Sequence, residues 1–229
     1  MNIQGFQKMT LLDFPGRVAC TVFTGGCNLR CPFCHNGGLV RTPMEHGNMT
    51  QTVLEYLAQR RGILDGVCVT GGEPLLQPDI TQFLLQVREM GYLVKLDTNG
   101  ALPKRLGEVL AKGLVDYIAM DVKSSPRGYA KATGSDLSTD VFAESMELIR
   151  GSGIPYEFRT TAVKGIHEGN DFCEIGKWLK AEDPYFIQTF VDSGNLLGNG
   201  CSAFDEHEMQ AILEAVKPYL PKATLRGRS

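Results

Sequence analysis

Short apolar runs ending in glycine or polar motifs, each followed by a stretch of helical periodicity, recur along this sequence and constrain its fold most. The first run, Arg17 to Thr24, is nearly continuous in Val18, Ala19, Cys20, Val22 and Phe23, as a strand buried on both faces is. Gly25 and Gly26 end it. Gly66 to Thr70, Tyr92 to Thr98, Val115 to Val122, Pro155 to Val163 and Tyr185 to Val191 read as further strands. Between them the pattern predicts helices at Pro103 to Lys112 and around Val141 to Ile149, and others opened by Thr52 with Glu55, Asp79 with Gln82, Asp171 with Glu174 and Asp205 with Glu208. Alternation of this kind implies a parallel sheet with right-handed crossovers. Eight strand–helix units close a full barrel. With six, the expected fold is α/β, a partial (β/α)6 barrel of parallel strands open on one side, the alternative being an open doubly wound sheet.

Composition narrows the function classes. The 229 residues carry 23 basic and 26 acidic groups, a formal charge of −3, so no basic face is implied and nucleic acid is not an expected partner. The N-terminus has neither the basic nor the apolar block of a secretory leader, and no apolar run approaches membrane-spanning length. Seven cysteines without such a leader fit a reducing cytoplasm and argue against a disulfide framework. Cys20, Cys68, Cys173 and Cys201 are isolated and expected to be small buried hydrophobes, Cys201 least so because Gly198, Asn199 and Gly200 place it in a loop. No linker interrupts the pattern, so a single domain over residues 1–229 is expected, with a lead-in at 1–16 and a cysteine-bearing loop at 25–36.

That loop, Cys27-x3-Cys31-x-Phe33-Cys34, can bring three thiols to one metal centre. Structural zinc takes four protein ligands, and His35 has little freedom to join a site that already uses Cys34. A cubane iron–sulfur cluster takes one thiolate per iron, so three cysteines leave one iron open to another ligand. The other polar motifs also fall at carboxyl ends of strands, where ligands bind in parallel α/β folds: Gly71-Gly72-Glu73-Pro74, Asp97-Thr98-Asn99-Gly100 and Asp121-x-Lys123. Gly71 and Gly72 let a ligand approach the main chain closely, and Glu73 can accept from an ammonium.

The cysteine spacing together with Gly71 to Pro74 resembles the signature of the radical S-adenosylmethionine superfamily. The resemblance implies one [4Fe–4S] cluster on Cys27, Cys31 and Cys34, with the open iron chelated by the amino and carboxylate groups of S-adenosylmethionine. It implies reductive cleavage to methionine and a 5′-deoxyadenosyl radical that abstracts hydrogen. Phe33 matches the aromatic position that lies against the adenine, and Gly71, Gly72, Glu73 and Pro74 the turn that meets the amino group. Cys34-His35-Asn36, Leu96 to Gly100 and Met120 to Lys123 are similar to the activating enzymes of glycyl radical enzymes. By that match Asp97, Thr98 and Asp121 line the methionine end, through a bound monovalent cation, Asn99 is a further cofactor-binding residue, and Lys123 faces the carboxylate. Arg159 has an equivalent strand-end position, and Gln188 is a weaker candidate. The opening from Gly5 to Gly16 resembles the longer activating proteins of anaerobic ribonucleoside-triphosphate reductase. The partners so implied are a glycyl radical enzyme as protein substrate and a flavodoxin- or ferredoxin-type electron donor. A peptide substrate implies an open groove, with His35 to Asn48 and Ser124 to Asp136 as candidate borders. The alternatives are activation of another glycyl radical enzyme such as a pyruvate formate-lyase, radical chemistry on a small molecule, or a non-catalytic iron–sulfur or zinc module that senses redox state.

Overall fold

The computed structural model describes residues 1–41 and 49–227. The strands are β1 (Ile3–Thr10), β2 (Ala19–Thr24), β3 (Gly66–Gly71), β4 (Leu93–Thr98), β5 (Tyr117–Asp121), β6 (Tyr156–Ala162), β7 (Tyr185–Thr189) and β8 (Thr224–Arg226). The helices are α1 (Gly37–Arg41), α2 (Thr50–Gln59), α3 (Ile80–Glu89), α4 (Pro103–Ala111), α5 (Tyr129–Thr133), α6 (Thr139–Gly151), α7 (Asp171–Trp178) and α8 (Glu206–Val216). Strand order in the sheet follows chain order from β1 to β8. Pairing is parallel between β2 and β3, β3 and β4, β6 and β7, and β7 and β8; only β1 against β2 is antiparallel among the registers described. The α/β class and the unclosed, mostly parallel sheet of a partial barrel are as expected, with one strand added at each end of the order.

β1 eluded the pattern because Gln4, Gln7 and Lys8 break its apolar alternation, and much of its length is exposed. Main-chain pairing holds it, with Gly5 opposite Phe23 and Gln7 opposite Thr21. β8 is three residues long, too short to carry a period. Its Arg226 is instead tied down by charge, donating from both terminal nitrogens to the buried carboxylate of Glu157 at 2.7 and 2.8 Å.

Helix ends follow the caps unevenly. Asp205 and Glu208 form the expected capping box at α8. Asp79 stands at the N-cap of α3, but its carboxylate pairs with the N-terminal ammonium rather than the helix. α2 starts at Thr50, so Thr52 lies inside the helix, and Glu55 accepts from Gln51 one turn back. Asp171 is the first residue of α7 behind an Asn170 cap, and its carboxylate accepts from Glu168 N at 2.9 Å. The segment Ser124 to Asp136 is not wholly loop, because α5 forms within it. Tyr129 is buried there, edge-on to Trp178 at 5.6 Å, with its hydroxyl accepting from Lys123 N. Of the other expected border, residues 42–48 lie outside the described residues.

The described residues fall into two compact units. One is drawn from Met1–Asn28, Gly38–Ala119 and Val141–Tyr156, the other from Leu29–Gly37, Met120–Asp140 and Glu157–Ser229. The first has a core of Val22, Val67, Val69, Leu84, Leu96 and Ile118, the second one of Phe158, Ile175, Ile187 and Val216, all with no exposed surface. Cys20 and Cys68 are buried as expected, whereas Cys173 and Cys201 are half-exposed. No helix among the described residues is long and apolar enough to cross a membrane.

Candidate active site

In the first unit the β3 turn is bonded directly to the start of the cysteine loop. Gly72 N donates to Thr24 O at 2.8 Å and Glu73 N to Gly26 O at 2.9 Å. This closeness explains the paired glycines. Gly71 has φ +109°, and a Cβ on Gly72 would fall 1.9 Å from Gly26 O, so neither position admits a side chain without moving the loop.

Glu73 is completely buried and works inward. Its Oε1 accepts from Leu75 N and from the Thr98 hydroxyl, each at 3.0 Å, and its Oε2 accepts from Asn99 N at 2.7 Å. One carboxylate thereby caps the short 3-10 turn Pro74–Leu76 and fixes the end of β4. Thr98 passes the order on by accepting from Gly100 N, and Asn99 accepts from Ala101 N. The Asn99 amide donates to Asn28 Oδ1 at 2.9 Å and reaches Cys27 Sγ at 3.7 Å. Thus Cys27, Glu73, Thr98 and Asn99 belong to one connected network. Asp97, just below the strand end, is paired with Lys95.

In the second unit Cys34 N bonds to Cys31 O at 3.1 Å, which closes the loop into a turn. Asp121 at the end of β5 accepts from Arg159 Nε and from Lys123 Nζ, both at 2.9 Å. Burial alone raises the Asp121 pKa, but the two cations outweigh it and hold the carboxyl well below the usual carboxylate range. Burial likewise disfavours charge on Lys123, yet Asp121 and the thiols of Cys31 and Cys34 keep it well above the usual ammonium range.

Phe33 is buried, with its ring centroid 6.4 Å from that of His167. No motif marks His167, a lone histidine in a polar loop, yet it is buried against Phe172 at 5.1 Å. Its Nδ1 accepts from Val163 N at 3.1 Å, which leaves the proton on Nε2 to donate to Lys123 O at 2.9 Å. The second position that the motifs passed over is Lys95, which is 2% exposed. Gln188 is half-exposed on β7.

The donor set suits an iron–sulfur cluster: the thiols are free of disulfides, and an ammonium lies within electrostatic reach of two of them. Among the described residues no three His, Cys, Asp or Glu side chains form a group of metal-holding geometry, so the ligand assignment stands on thiol chemistry and spacing.

The model of the radical SAM superfamily matches residues 21–179, and the chain belongs to that superfamily. It is an enzyme family whose members use a [4Fe–4S] cluster and S-adenosylmethionine. The chain is 28% identical over 233 aligned positions to a Methanocaldococcus jannaschii protein whose name assigns it provisionally to the glycyl-radical enzyme activating enzymes, covering 98% of this chain and 95% of that one. It is 31% identical to the pyruvate formate-lyase-activating enzyme of Clostridium pasteurianum over 139 positions, 58% of this chain and 57% of the relative. Among solved structures, SuiB of Streptococcus suis superposes with a TM-score of 0.68 at 17% identity, over 90% of this chain and 47% of SuiB. That likeness shows the fold, and this chain spans about half of SuiB's length.

Two substitutions test the internal bonding. Glu73→Gln places an amide N–H where donors converge and is expected to cost roughly 1–3 kcal/mol in urea unfolding. Unchanged stability would contradict the tie. His167→Phe leaves Val163 N and Lys123 O without their ring partner, at roughly 1–3 kcal/mol. Burial lowers the His167 pKa below its ordinary 6.5, so the histidine's contribution is present above that pH and is lost as pH falls through the folded-state value. The stability gap between wild type and His167→Phe should therefore narrow on acidification below 6.5; a gap that widens would contradict the neutral ring.

Proposed function

We propose that this enzyme is an activase that installs a glycyl radical on a partner protein, and that the partner is anaerobic ribonucleoside-triphosphate reductase. The observation that carries the activase reading is the end-to-end likeness to the Methanocaldococcus jannaschii relative, over 98% of this chain and 95% of the other. The choice of partner rests on the opening Gly5 to Gly16 and its resemblance to the longer reductase activators.

In this reading a single radical SAM domain uses Cys27, Cys31 and Cys34 to hold the cluster. Loaded with S-adenosylmethionine and reduced, the cluster supplies a 5′-deoxyadenosyl radical for hydrogen abstraction. The protein's own part is placement. Gly71, Gly72 and Pro74 present main chain to the methionine amino group, held in position by the buried Glu73 carboxylate. Asp97, Thr98 and Asn99 form the methionine-side wall, and Asn99 also steadies the Cys27 sulfur. Lys123 and Arg159 offer positive charge to the cofactor's carboxylate and ribose, with Asp121 fixing their orientation. Phe33 supplies a flat apolar face for the adenine. The electron is assigned to a flavodoxin- or ferredoxin-type donor and the reaction to the cytoplasm, a reading that the free thiols of the cysteine loop support.

Anaerobic reconstitution with iron and sulfide, then dithionite and S-adenosylmethionine, tests the chemistry. One cluster per chain and formation of 5′-deoxyadenosine are expected. Cys27→Ala, Cys31→Ala and Cys34→Ala should each lose the cluster, whereas Cys68→Ala, in the fully buried core, should keep it. A cluster that survives loss of Cys31, or reduced enzyme that yields no 5′-deoxyadenosine, contradicts the proposal.

A further inference from the structure

The strand-end carboxylates Asp97 and Asp121 are where the resemblance implies a monovalent cation, and each is already engaged by a cation of the chain itself. β4 alternates its faces, so Lys95 and Asp97 project to the same side two residues apart. The register places Lys95 opposite Cys68 of β3, which in turn lies opposite Thr21 of β2. These three side chains form one buried row, 1% exposed at Thr21, 0% at Cys68 and 2% at Lys95. Lysine is an expensive occupant of such a row unless its ammonium is paired. Lys95 Nζ is paired: it binds Asp97 Oδ1 and lies 3.8 Å from Cys68 Sγ. Asp97 is itself only 14% exposed, so the pair is shielded from water on both sides. In the other unit Asp121 is flanked by Arg159 Nε and Lys123 Nζ at 2.9 Å each.

We infer that Lys95 is a tethered cation serving Asp97 in place of a bound potassium or sodium ion, so that this enzyme binds S-adenosylmethionine without one. An ammonium and a potassium ion carry the same charge at similar size. The ammonium arrives already desolvated on a stem fixed by the sheet, whereas a free ion must shed its water to reach the same carboxylate. Lys95 is therefore a positioning residue: it holds the charge and direction of Asp97 and touches no reacting atom. A core lysine with no such task would also be buried and paired, and the response to added cations separates the two roles.

The inference rests on the proposed function only where cofactor affinity is read, so the test has two readouts. Cluster-loaded enzyme is compared in choline, potassium and sodium chloride at equal ionic strength, by thermal midpoint and by S-adenosylmethionine affinity. Wild type should give the same midpoint in all three salts and affinities within about twofold. Lys95→Met, which keeps the apolar stem, should bind the cofactor on the order of tenfold more weakly in choline, with potassium or sodium restoring most of the loss. Should Lys95→Met not fold, Lys95→Arg retains the charge and should remain indifferent to the salt. The inference is overturned by a wild-type midpoint or affinity that rises saturably with potassium or sodium. It is equally overturned by unchanged affinity in Lys95→Met, or by a cation requirement in Lys95→Arg. No cofactor binding in any salt would reject the activase reading, while the midpoints would still decide whether wild type takes up the cation.

Discussion

The buried carboxylate of Glu73 is the interaction on which the candidate site in the first unit depends. It gathers three donors: one from the turn that it caps, one from the Thr98 hydroxyl and one from the Asn99 main chain. A buried carboxylate is costly unless its acceptor sites are used, so the arrangement admits few alternatives. Through Thr98 and Asn99 it orders the end of β4, and the main-chain N–H of the same residue donates to Gly26 O, one residue before Cys27. The missing side chain of Gly72 is the counterpart of this bonding, since any Cβ would collide with Gly26 O. Within the first unit, the Gly71–Pro74 turn, the end of β4 and the start of the cysteine loop are thus connected through hydrogen bonds.

Charge on the strands is handled in the same way, with each carboxylate paired to a cation of the chain and Arg159 shared between Asp121 and Glu157. Asp97 has Lys95; Asp121 has Arg159 and Lys123; Glu157 has Arg226. Pairing of this sort fixes side chains in advance, and polar groups fixed in advance do not have to reorganise when a charged ligand arrives. The neutral His167 plays a related part by bonding the Lys123 carbonyl while packing toward Phe33.

What could be read from sequence divides along the line between local and tertiary causes. The inner strands were legible because apolar runs stopped by glycine or polar turns are local signals, and the Asp205–Glu208 cap is a local signal too. β1 and β8 were not, being held by main-chain pairing and by the Glu157–Arg226 ion pair. Thr52 and Glu55 have capping spacing, yet the helix begins at Thr50, showing that spacing alone does not set a boundary. Within the site the motifs marked Glu73, Asn99, Asp121 and Lys123 by type, but not the bonds they make. Nothing local distinguishes Lys95 or His167 from a surface lysine or histidine. Their burial follows from the register of neighbouring strands and from packing around the ring.

In the proposed reaction this enzyme transfers radical character to a glycine of another protein. The direct measurement is anaerobic electron paramagnetic resonance of anaerobic ribonucleoside-triphosphate reductase mixed with the reduced, cluster-loaded enzyme and S-adenosylmethionine, using partner protein labelled with deuterated glycine. A glycyl radical signal on the partner and one deuterium carried into the 5′-deoxyadenosine are expected. Formation of 5′-deoxyadenosine with no radical on the partner and no deuterium transfer would contradict the proposed reaction.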